Sequence, residues 1–201
     1  MISLAVSTLS LLLSLTVAWL TLLRRGTVRI TRPKLVGFLS EEGQPKVFLR
    51  ALLYATGKRG HIVEDLFLIV RRGEVSQLFG FWMYGERKSE MIGSGLKISE
   101  DGVAFNYYFL PPKDSGFCFL SGEYFIKIHA KILNRDKPLV LCAVKLSLSD
   151  ELAVAFADPS TGVLFTWMPD SDAYRSDLHA APSIGRSRSV SGAGRGELPW
   201  A

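Results

Sequence analysis

The chain has 201 residues, 48% of them hydrophobic, with a formal net charge of +5 and a pI of about 9.3. Its two cysteines are too few for a disulfide-built secreted scaffold. Most of the basic excess lies near the N-terminus and in the last residues, which is weak support for nucleic-acid binding and fair support for a membrane surface.

Met1 to Leu23 carry no charged side chain, and Arg24-Arg25 follow at once. A helix of that length reaches about 35 Å, enough for a hydrocarbon core of about 30 Å. Ser and Thr within it can bond a carbonyl one turn back, and Trp19 suits the interfacial aromatic belt. A cleaved signal peptide would have a basic start and a shorter apolar stretch. Residues 1–23 are therefore predicted to form a transmembrane anchor. Arg24, Arg25, Arg29, Arg32 and Lys34 crowd the segment 24–34. By the positive-inside rule they place the following domain in the cytoplasm and the N-terminus outside. The same cluster can rest on anionic headgroups of the bilayer, each charge contributing about 1 kcal/mol.

From there the hydrophobic period is two. Val28 and Ile30 alternate with Arg29 and Thr31 before Pro33 interrupts. Strands are predicted over Val47 to Ala55, Ile62 to Val70, Val75 to Tyr84 and Val103 to Leu110. Further ones cover Tyr124 to Leu133, Val140 to Leu148 and Val163 to Trp167, with turn residues between them. A short helix over Asp150 to Ala157 has Ser149 or Asp150 as its cap. Eight or nine such strands across residues 35–169 predict a mainly β, two-sheet antiparallel sandwich. Ser121-Gly122-Glu123-Tyr124-Phe125-Ile126 resembles the start of strand F in immunoglobulin-like domains, where a Tyr forms a corner. Ile126 stands where the disulfide Cys of true immunoglobulin domains would be. The resemblance implies an immunoglobulin-like or fibronectin-like sandwich and says nothing about function. Cys118 and Cys142 are both expected to be small buried hydrophobes with free thiols; a bridge between them would favour the opposite orientation. The pattern fails near Asp170, and residues 170–201 read as a disordered tail rich in Ser, Gly, Arg and Pro, with a small basic Arg186-Ser187-Arg188-Ser189 patch.

Motifs for chemistry are lacking. His61, His129 and His179 stand apart, with no second ligand at a metal-binding spacing, and His129 falls on the polar face of its strand. No phosphate loop, dinucleotide fingerprint or nucleophile elbow is present, and Gly93-Ser94-Gly95 reads as a loop. The adjacent pairs Glu41-Glu42 and Glu64-Asp65 point to opposite faces on a strand and make no acid–base dyad. No cofactor, metal or catalytic residue is assigned, and an enzyme is not expected. The aromatic run Phe79 to Gly85 is the most distinctive piece. Trp82 and Tyr84, with Tyr107 and Tyr108, form the candidate binding face, set against the competing reading that they fill a core. The leading expectation is a membrane-tethered interaction domain with a protein partner at the cytoplasmic face. A sugar-binding module would need the domain outside the cytoplasm. A nucleic-acid binder would need Lys58-Arg59 and Arg71-Arg72 to converge beside exposed aromatics, and is disfavoured.

Overall fold

The computed structural model describes residues 2–19, 26–41, 43–85, 95–156, 158 and 161–180. Helix α1 (Ile2–Ala18) is built of Leu, Ala, Val, Ser and Thr. Its hydroxyls bond back along the helix, Ser7 to the Ser3 carbonyl at 3.0 Å and Thr16 to the Leu12 carbonyl at 2.8 Å. The side chains from Ser3 to Val17 are exposed, so α1 does not pack on the rest of the molecule. Its 17 residues span about 25 Å. Among the described residues no helix is long and apolar enough to cross a membrane.

The strands are β1 (Val28–Ile30), β2 (Leu35–Glu41), β3 (Gln44–Ala55), β4 (His61–Arg72) and β5 (Val75–Tyr84). They continue with β6 (Leu96–Ile98), β7 (Val103–Leu110), β8 (Gly122–Ile132), β9 (Leu139–Leu148), β10 (Thr161–Met168) and β11 (Ala173–Ala180). All belong to one antiparallel sheet, in the order β11-β10-β2-β3-β7-β5-β4-β8-β9, with β1 added to β3 and β6 to β4. Where the sequence leads one to expect two separate sheets, the ladders join every strand into a single barrel-like sheet. β1 and β2 lie end to end along β3, pairing Val28 with Ala55 and Leu35 with Arg50. Pro33 sits at the break between them, where its missing N–H costs no ladder bond.

Inward residues alternate along each strand, as in Val47, Leu49, Ala51, Leu53 and Ala55 of β3. They meet across an aromatic centre: the Phe38 ring stacks on Phe119 at 4.1 Å and meets Tyr124 edge-on at 5.1 Å and Phe165 at 4.9 Å. Tyr124 is fully buried, and its hydroxyl accepts from the Leu120 N–H at 2.8 Å and donates to the Leu120 carbonyl. This is the corner bond that the local sequence resemblance implies. Helix α2 (Asp150–Ala155) is capped by Ser149, whose hydroxyl accepts from the Leu152 N–H at 3.3 Å. It is followed by Phe156, which closes one end of the core against Phe119.

Three strands lie outside the sequence expectation. β2 is hidden by Pro33 and Gly37, β6 is only three residues long, and β11 lies beyond Asp170, inside the segment read as tail. Residues 20–25, with Arg24 and Arg25, most of the 93–95 loop, and the 181–201 part of the tail fall outside the described residues.

Candidate functional site

The candidate aromatic face divides between the two sides of the sheet. On β5 a bulge falls between Phe81, which pairs with Phe109, and Met83, which pairs with Tyr108. The bulged residue is Trp82, whose side chain turns outward and is 37% exposed. The ammonium of Lys46 lies 4.2 Å from the centre of its ring, and Lys46 itself is buried. Tyr84 turns the other way and packs with Phe105 at 5.2 Å and Phe81 at 5.9 Å. Tyr107 is a core residue whose hydroxyl donates to the Val103 carbonyl at 3.0 Å. Burial, with Tyr84 nearby, pushes its phenol far above the ordinary range. Tyr108 is half-buried on the outer side beside Phe48, at 5.9 Å. The four residues therefore do not share one face: Trp82 and Tyr108 are outside, Tyr84 and Tyr107 inside. An outer aromatic missed from the sequence is Phe48. Its ring lies across Gly37, where a Cβ would stand 2.0 Å from it.

The basic cluster is also divided. Arg29 and Lys34 are exposed. Arg32 is engaged: its guanidinium sits 3.9 Å over the Trp167 ring and its Nη1 bonds Asp172 Oδ1 at 2.9 Å. Trp167 in turn meets Tyr174 at 5.0 Å, and the Tyr174 hydroxyl donates to the Pro33 carbonyl at 2.6 Å. Burial and the neighbouring Cys142 push the Tyr174 hydroxyl upward. This group stands where the two ends of the sheet approach each other.

That seam is open. β9 pairs with β8 on one side, and on the other no ladder or backbone hydrogen bond joins it to β11 or β1 among the described residues. A cavity of about 330 Å³ separates Ala143 to Ser147 of β9 from Arg32, Trp167 and Asp172 to Tyr174. A second, of about 380 Å³, separates Leu139 to Leu141 from Thr27 to Ile30 and Tyr54.

The remaining reactive groups do not gather. Cys118 and Cys142 carry free thiols, and Cys118 is exposed rather than buried because its segment, residues 111–121, crosses the end of the core outside any strand. Cys142 is half-buried, and burial pushes its thiol pKa up. His129 is half-buried instead of solvated, because Phe67 on β4 stacks on it at 4.8 Å. Its Nε2 has no partner, and burial together with Lys127 lowers its pKa. Among the described residues no three His, Cys, Asp or Glu are placed to hold a metal.

No family model matches the chain, and no curated protein matches it. Among solved structures it is similar to the CooA pilin subunit from enterotoxigenic Escherichia coli, at 10% identity and a TM-score of 0.33, over 61% of this chain and 99% of that one. At that score the likeness supports no statement about this chain.

Proposed function

We propose that the chain is a membrane-tethered, mainly β interaction domain that faces the cytoplasm and captures a protein partner along its sheet. The observation that carries this reading is α1: an apolar helix with its side chains from Ser3 to Val17 exposed, continued in sequence by uncharged residues as far as Leu23. A helix apolar on all sides needs a lipid or protein environment to cover it. The scattered titratable groups and the unpaired sheet edge favour binding over catalysis. The finer fold reading, an immunoglobulin-like or fibronectin-like sandwich, rests on the Tyr124 corner and on β2 and β8 facing each other through Phe38 and Tyr124.

Full-length protein should sediment with membranes and resist carbonate extraction. A cytoplasmic reporter fused after Ala201 should be active and an external one silent. A soluble form beginning near Trp19 would mark the segment as a cleaved leader and end the tether reading.

A further inference from the structure

We propose that the open seam beside β9 receives an extended segment of another polypeptide, which adds to the sheet as one more strand antiparallel to both β9 and β11. The inference rests on the partner-binding reading above and gives it a place and a ligand class.

Strand direction supplies the first argument. Every neighbour in the nine-strand path is antiparallel, so the two end strands, β9 and β11, run the same way. They cannot close the sheet antiparallel by pairing with each other, whereas one further strand running the opposite way pairs with both. Width supplies the second. β9 comes within 8 Å of β11 and of β1, Cα to Cα, yet bonds neither. A strand between two others needs about 9.6 Å, twice the spacing of about 4.8 Å. The seam as it stands is therefore narrower than an inserted strand needs, and its two sides must part to admit a single extended chain. The two cavities follow β9 from Leu139 to Ser147, a length that matches about nine extended residues at about 3.3 Å each.

The third argument is the edge itself. Exposed edges are ordinarily blunted by charge, Pro or bulges that deter pairing. β11 follows that rule, with Arg175 and Asp177 paired at 3.6 Å. β9 carries one charge in ten residues, Lys145, and exposes Val140. A bulge at Leu141 interrupts the β9 ladder, but from Cys142 to Leu148 the strand runs in regular register with β8. A lightly charged edge flanked by grooves is the arrangement that strand addition uses, with backbone bonds giving affinity and alternate side chains giving selectivity. The preferred segment alternates apolar and polar residues, its apolar side chains turned toward Trp167 and Tyr174. Residues 181–201 of this chain are a poor match, since Gly, Ser and Pro interrupt their few large apolar residues.

The test uses the full chain in detergent micelles, with random peptides of about twelve residues displayed on phage as the probe. Selected peptides, resynthesised, should alternate apolar and polar residues. Their binding should slow amide exchange across Leu139 to Ser147. Affinity should fall at least about ten-fold in Ala143→Trp and in Ala173→Trp, which fill the groove from opposite walls at exposed positions, with unfolding midpoints close to that of the parent. Trp82→Ala should leave it unchanged. The proposal is overturned if no peptide is enriched, or if binding ignores both groove variants. It is equally overturned if removing residues 181–201 raises affinity ten-fold, which would make that segment the occupant, or if light scattering shows dimers that Ala143→Trp dissolves. Capture lost in Trp82→Ala but kept in the groove variants would sink the seam and leave the partner-binding reading standing.

Discussion

Tyr124 shows how much one side chain can organise. Its hydroxyl serves both the N–H and the carbonyl of Leu120 at the edge of the core, so Tyr124→Phe leaves two part-buried backbone groups without their partner. The expected cost is about 1–3 kcal/mol, read as a lower urea midpoint at unchanged slope. Gly37 works by absence. With Phe48 lying over it, Gly37→Ala should cost about 1–3 kcal/mol, and Phe48→Leu in the same chain should return part of that in a double-mutant cycle. His129 makes stability depend on pH. Its folded pKa lies below the ordinary 6.5, so the unfolded chain binds the proton more readily. Stability should therefore be complete above about pH 6.5, decline as the pH falls through that value, and level off below the folded pKa. His129→Phe should flatten that part of the urea-midpoint profile; an unchanged profile would assign the slope to other groups. The tyrosine corner is legible in sequence because the bond it makes spans four residues. The Gly37–Phe48 and His129–Phe67 contacts are not, because each needs a neighbouring strand in register.

Strands bounded by clear turn residues were readable almost to the residue: Val75–Tyr84 and Val103–Leu110 have the predicted bounds. β2 was not, because Phe48 covers its Gly37 and Val36, Phe38 and Leu39 are all buried, so both faces of the strand are covered and no apolar–polar alternation shows. β11 was not, because six of its eight residues are small or polar and its place is set by pairing with β10. The aromatic strand was recognised, but its faces could not be assigned, since the bulge at Trp82 shifts the alternation that assignment depends on. Trp82→Ala should cost about 1–2 kcal/mol, less than a core aromatic, through loss of the cover over Lys46. A loss of about 3–5 kcal/mol would instead mark it as part of the core. Ser149→Ala should destabilise by about 0.5–2 kcal/mol, seen as faster amide exchange in α2.

At the scale of the whole molecule the mainly β, antiparallel character was legible, but the count of eight or nine strands fell short of eleven and the strand order was not readable, because nothing local distinguishes one sheet from two. The placement of β10 beside β2 has a kinetic consequence. Gly162 pairs with Leu39 across more than a hundred intervening residues, and until β10 is made, the edge of β2 has no partner. Contacts of such long separation slow folding and leave the growing chain open to wrong pairing. A chain ended before Thr161 should expose that edge permanently and aggregate, whereas the complete chain should refold slowly and in a single cooperative step once its last strands are available.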